Sequence, residues 1–222
     1  DATMPPLVRA QIADALALRA GIVGDYARYA EKLTEAVAAF EETGDLPNAI
    51  IESAALSICL LMLGQTAEAE AMCRRNIAHS ERLGAQQATL MTRLTLALIL
   101  IRGGHKLDEA QQLLSAALAQ YQAIGHRRRI GLAHCYQSQL FFAQHNLSAA
   151  LRASEQAVAH LAGWGGFITW ALAVHADILL QAGRQKDALA AARSAVEEFR
   201  KLGGAPAFDL LPHVVLAETL GG

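Results

Sequence analysis

Apolar positions recur with a helical period along nearly the whole chain, and glycine interrupts them at regular intervals. The first stretch, with Leu7, Ile12, Ala15 and Leu16 on one face, predicts a helix over 6–22. The same reading predicts further helices over 25–43, 46–63, 65–83, 85–102, 107–124, 126–144, 147–162, 167–182, 185–202 and 206–220. Pro5 and Pro6 stand where a helix start tolerates proline, and Asp45 with Pro47 reads as an N-cap and first turn. Gly44, Gly64, Gly84, Gly125 and Gly183 fall just past predicted helix ends, as C′ glycines do. In the fourth pair His145-Asn146 replaces the turn glycine, and Asn146 is the residue expected to take positive φ.

Two sets of landmarks repeat together. The inner alanines Ala30, Ala69, Ala110, Ala150 and Ala188 are spaced 39, 41, 40 and 38 residues apart. The pair-ending glycines Gly44, Gly84, Gly125, Gly163 and Gly203 are 40, 41, 38 and 40 apart. Phe40, Ser80, Tyr121 and Phe199 stand four residues before their glycines, with His160 three before Gly163. Such a period marks stacked supersecondary units. The expected repeats are 7–44, 45–84, 85–125, 126–163 and 164–204, with a terminal helix over 205–220, all within one repeat domain spanning 1–222. The two helices of each pair differ in kind. First helices such as 50–63 are apolar nearly all round and should be buried; second helices such as 187–201 carry charge on one face and alanine on the other, and should form a solvated layer.

These residues resemble the tetratricopeptide repeat. Its turn glycine with a small residue five positions on is matched by Gly64/Ala69 and Gly183/Ala188, and the same offset runs His105/Ala110. A second small position, seven further on, is filled by Ala117, Ala157 and Ala195. The period exceeds the roughly 34 residues of the standard repeat, and glycine stands where that repeat ends in proline. The chain is therefore similar to the longer-helix variety found in MalT-like transcription regulators, related signalling ATPases and kinases, and kinesin light chains. The resemblance implies an all-α, right-handed superhelical α-solenoid of about five antiparallel helix pairs plus a C-terminal helix. It also implies a concave groove lined by first helices. Carried over by register, the groove positions would be Ile51, Ala54, Ile58 and Leu61; Thr92, Thr95, Ile99 and Arg102; Leu132, Cys135, Gln139 and Phe142; Trp170, Ala173, Asp177 and Leu180. Thr92, Thr95, Arg102, Gln139, Phe142, Trp170 and Asp177 are the binding candidates among them. The alternative for all these positions is packing on an adjacent helix, since a one-residue slip in register exchanges groove for core.

Composition narrows the chemistry. The chain is 53% hydrophobic but only 5% aromatic, so its core must be a lattice of alanine and leucine. A net charge of −2 gives no basic face of the kind nucleic acid requires. The longest apolar runs, such as 94–101, fall short of the roughly 18–20 residues a membrane helix needs. Cys59, Cys73 and Cys135 show no CxxC spacing and read as buried, reduced thiols, hence a reducing cytoplasmic compartment. Asp1-Ala2-Thr3-Met4 at one end and Gly221-Gly222 at the other lead us to expect a piece of a longer protein.

No catalytic motif appears, whether nucleophile elbow, HExxH, P-loop or dinucleotide fingerprint. None of the eight histidines shows the i, i+4 pairing of helical metal sites, so no metal or cofactor is expected. Gly163-Trp164-Gly165-Gly166, with no strand before it, reads as an inter-repeat turn rather than a phosphate cradle, and Trp164 either stacks on the neighbouring repeat or marks a contact site. The local charge feature is His126-Arg127-Arg128-Arg129, where Arg127, Arg128 and Arg129 open a helix against its dipole. It faces either acidic side chains of a neighbouring repeat or an acidic peptide, a phosphate or another domain. The expected function is a non-enzymatic protein- or peptide-binding module of a larger regulator, a small-molecule effector being the other ligand class open to it. The alternative is a scaffold or homodimerisation domain, with the terminal helix and its Pro206-Ala207-Phe208 entry as the apolar contact.

Overall fold

A computed structural model describes residues 4–22, 24–201 and 211–221. Eleven α-helices follow one another among these residues: α1 (Pro6–Ile22), α2 (Tyr26–Glu42), α3 (Leu46–Met62), α4 (Thr66–Arg82), α5 (Gln86–Arg102), α6 (Leu107–Ala123), α7 (Arg127–Ala143), α8 (Leu147–Leu161), α9 (Gly165–Gln181), α10 (Gln185–Lys201) and α11 (Leu211–Gly221). All described secondary structure is helical, and the predicted ends agree to within a residue or two through α10. Gly203 and the Pro206-Ala207-Phe208 entry lie outside the described residues. The chain divides into two compact units, 1–103 and 104–222, so the division falls inside the third predicted repeat. Within each unit, consecutive helices pack as neighbours, as the pattern predicts.

Most of the turns use one device. At Gly64, φ is +80°; its N–H donates to the carbonyl of Leu61 (3.0 Å) and the N–H of Gln65 to that of Leu60 (2.8 Å). Those two bonds satisfy carbonyls the helix would otherwise leave open, and the left-handed residue between them favours glycine. The fourth pair departs from expectation. His145, not Asn146, takes the left-handed conformation (φ +58°), donating to Phe142. Asn146 instead caps α8, its side chain accepting from the N–H of Ala149 at 3.2 Å. Asparagine is as apt for the N-cap as for the turn, and the helix start claims it. In the third pair one extra residue enters before α6, and Lys106 at φ +53° absorbs it.

The inner alanines Ala69, Ala110, Ala150 and Ala188 are fully buried, as are Ala117, Ala157 and Ala195 two turns later on the same faces. The first repeat differs. Ala30 is only half-buried; the residue five beyond Gly24 is Tyr29, whose ring lies 3.4 Å from where a Cβ on Gly21 would stand. The small residue has moved from α2 to α1, and the close approach is kept. A second correction concerns α8, which has 15 residues where its counterparts have 17. Leu161, fully buried, therefore occupies the place that spacing assigned to His160.

In unit 1, α3 packs on α2, α4 and α5; in unit 2, α9 packs on α7, α8, α10 and α11. First helices thus pack directly on one another, α3 on α5 in unit 1 and α7 on α9 and α9 on α11 in unit 2. The three cysteines are free and buried, with Cys59 and Cys73 thiols pushed up to about 11 and Cys135 further, burial being the main cause. A thiol so protonated and enclosed is a poor nucleophile. Native protein should show less than one equivalent of fast thiol labelling, with all three sites reacting once urea unfolds it; fast native labelling would contradict this core.

Candidate functional site

The left-handed residues supply a common ruler for the first helices. Ile51, Leu132 and Trp170 each stand thirteen positions before Gly64, His145 and Gly183. Thr92 stands twelve before Gly104, so the set predicted on α5 is one residue out of register. The in-register set on α5 is Met91, Leu94, Leu98 and Ile101. Thr92 and Thr95 are buried, and their hydroxyls donate to the carbonyls of Ala88 (2.9 Å) and Met91 (3.2 Å). Neither belongs to an accessible face, and the in-register Leu94, Leu98 and Ile101 are buried as well, so α5 is covered in either register.

Of the other candidates, Trp170 is also buried, its ring meeting Tyr136 of α7 edge-on at 5.6 Å. Arg102 is exposed at the end of α5 in unit 1. Unit 2 brings Gln139, Phe142 and Asp177 onto adjacent, packed helices. Gln139 and Asp177 stand six residues before their left-handed residues, Phe142 and Leu180 three before. Phe142 is 40% exposed, large for a ring on an otherwise covered helix. Gln139 is half-buried and its amide reaches the Cys135 carbonyl at 3.4 Å. Asp177 is half-buried too; burial raises its carboxyl above the usual range, partly opposed by the Gln181 amide at 3.5 Å. In unit 1 the row six before the turn reads Leu18, Ile58 and Leu98, so the same face is apolar there. Leu18 is 62% exposed.

The basic cluster finds partners other than carboxylates at two of its three arginines. Arg127 Nη2 donates to the Ala159 carbonyl at 3.1 Å, in the last turn of α8. Its charge opposes the dipole of its own helix and favours that of α8, which offsets the cost. The Arg128 guanidinium lies 5.5 Å from the centroids of both Trp164 and Phe167. Trp164, the N-cap of α9, thus meets the neighbouring repeat. Arg129 is half-buried and opposes the upward push that burial gives the Tyr121 phenol. Nearby, the His134 and His160 rings stack at 5.7 Å; burial lowers His134 below the usual histidine range, and His160 adds to it.

One group that the pattern did not single out is Glu52. It stands twelve before its turn, in the row otherwise filled by Ile12, Thr92, Ala133 and Ala171. That row is the helix seam, and the last three are buried. Burial, aided by Asp14 on α1, pushes the Glu52 carboxyl up to about 7. Tyr29 on α2 belongs to the same cluster, pushed up to about 12 by burial first and Glu52 next. A repeat-by-repeat alignment anchored on the turns would have exposed the odd carboxylate.

Among the described residues no group of three or more metal-ligating side chains converges, and no helix is long and apolar enough to cross a membrane.

The fold is that of the tetratricopeptide-like helical repeats. Over 99% of this chain it is similar to a Rap protein solved in complex with Competence and Sporulation Factor, at 11% identity and a TM-score of 0.78; the chain spans 65% of that protein's length. It is also similar to TTC0263, a thermophilic TPR protein of Thermus thermophilus (20% identity, 96% of this chain and 100% of that one, TM-score 0.64). A putative kinesin light chain of Podosopora anserina with nearly identical TPR-like repeats matches at 20% identity over 90% of this chain and 97% of its own, with a TM-score of 0.58. No protein-family model matches the sequence, and no curated protein matches it.

Proposed function

We propose that the chain is a non-enzymatic peptide-binding module of a larger cytoplasmic regulator, taking its ligand on the first-helix layer. The observation that carries this reading is that α7 and α9, which pack on one another, carry an open ring, Phe142, and a partly desolvated carboxyl, Asp177. An apolar anchor on one helix and a directional polar group on the helix packed against it suit recognition of an amphipathic segment. The similarity to a Rap protein complexed with Competence and Sporulation Factor supports a ligand-binding use of this fold. Membership of the MalT-like variety, with a transcriptional or signalling output and a small-molecule effector as an alternative ligand, belongs to the same proposal.

Peptides selected from a random phage-displayed library against the full chain should bind by calorimetry. Phe142→Ala should weaken them at least ~10-fold, about 1.4 kcal/mol, with helicity unchanged. Selected peptides that bind Phe142→Ala and Asp177→Asn as tightly as the parent would end this assignment. The competing reading, a dimerising scaffold, draws on Leu220 at the end of α11, which is 62% exposed. Sedimentation of the same sample separates the two, because a scaffold dimerises without peptide.

A further inference from the structure

We propose a second interaction surface in unit 2, formed by the starts of α7 and α9 and the last turn of α8, that takes an acidic peptide segment of a partner protein. Neither Arg127 nor Arg128 pairs with a carboxylate among the described residues; their partners are a carbonyl and two aromatic rings. Those partners hold the guanidinium groups in place without neutralising them. Arg128 is fixed by Trp164 and Phe167, and its Nε is buried without a hydrogen-bond acceptor. Arg127 is anchored through one Nη, which leaves the rest of its donor fork for a carboxylate.

Beside it lies a cavity of about 390 Å³, lined by Arg127, Ile130 and His160. Exposed apolar surface flanks the charges: Trp164 is 40% open and Ile124, which closes α6, is 54% open. Arginine and tryptophan are the residues that dominate protein interfaces, and here they stand side by side, pre-positioned and unneutralised. The charge selects acidic side chains, and the flanking Ile124 and Trp164 favour a peptide over an isolated ion. This surface uses none of the residues of the first-helix face, so the two can be occupied together.

The test uses the full chain labelled with 5-fluorotryptophan, whose two resonances report exposed Trp164 and buried Trp170. Hexaglutamate should shift the Trp164 resonance, leave Trp170 in place, and bind more weakly as salt is raised. Arg127→Gln and Arg128→Gln should each weaken binding at least ~10-fold, while hexalysine should have no effect. Arg127 is exposed, so its variant carries the test even if loss of Arg128 disturbs the fold. The proposal is overturned if hexaglutamate leaves Trp164 unmoved, if Arg127→Gln binds it as tightly as the parent, or if inorganic phosphate displaces it at equal concentration.

Discussion

Replacing Gly131 by alanine is expected to destabilise the chain by about 2–3 kcal/mol, against the usual direction of such a change. In a helix interior, glycine to alanine ordinarily stabilises by roughly 1 kcal/mol, because alanine loses less backbone entropy. Gly131 lies inside α7, where a Cβ would stand 2.6 Å from Leu161 Cγ, 2.9 Å from its Cδ2 and 3.1 Å from His160 Cβ. Leu161 is fully buried, and Cγ is its branch point, so the side chain cannot swing clear without displacing α8. Urea unfolding followed by circular dichroism measures the loss. Leu161→Ala opens a cavity of its own, yet in the double variant the two losses should fall well short of additive, because the truncated side chain admits the new methyl. A Gly131→Ala chain as stable as the parent, or strictly additive losses, would mean that α7 and α8 are not held at this distance.

Gly131 also marks where sequence reading reaches its limit. The fold is legible because the turns are local. A left-handed residue with its two carbonyl bonds can be read from a glycine at a helix end, and the repetition of that device exposes the period and the pairing of helices. The registers between helices are not legible to the same degree. A helical stripe looks the same after a one-residue shift, so the pattern puts Thr92 and Thr95 in a row with Ile51 and Leu132; Gly104, with the extra residue absorbed at Lys106, sets that row one residue earlier, and α5 is buried in either register. Spacing counted back from Gly163 gives His160 the place of Leu161, because α8 ends early. Asn146 and His145 exchange roles because both the turn and the cap accept a small polar residue, and local preference cannot rank two such adjacent demands.

The candidate site follows the same division. Gln139, Phe142 and Asp177 come from a register that the turns after α7 and α9 support, and Phe142 and Asp177 lie on helices packed against one another. Trp170 comes from the same register, but its ring turns into the seam against Tyr136. A period fixes which way a Cβ points; it does not decide whether a large ring then lies flat on its neighbour or stays open. The basic cluster stands out in the sequence as charge set against a helix dipole. Its aromatic partners are beyond the reach of local reading, because Trp164 and Phe167 lie far along the chain and meet Arg128 only once α8 has turned back.

Stability is expected to fall by about 1–2 kcal/mol between pH ~4.5 and ~7 because of Glu52, and Glu52→Gln should abolish that slope and leave the chain more stable above neutrality. The unfolded carboxyl ionises near 4.5, whereas burial and Asp14 raise the folded one to about 7. Below 4.5 the group is protonated in both states and contributes nothing to the difference. Between the two values the folded chain holds a proton that the unfolded chain has released, so each rise in pH favours unfolding. Above 7 the ion is present in both states and the full penalty stands. The gap alone would amount to roughly 3.4 kcal/mol; partial exposure of Glu52 to solvent reduces it to the smaller figure. Asp14 on α1, Tyr26 and Tyr29 on α2 and Cys59 on α3 surround this cluster, and none of these groups supplies a positive charge to offset it. His134 and His175 act in the opposite sense: burial lowers both, so their contribution is present above the usual histidine range and lost as pH falls through their folded values. Unfolding free energies for the parent and Glu52→Gln from pH 4 to 8 separate the two effects, since the histidine slope survives the substitution and the carboxyl slope does not. Parallel curves for the two proteins would show that Glu52 ionises in the folded chain as it does in the unfolded one, and that the α1–α2–α3 seam is wetter than its packing implies.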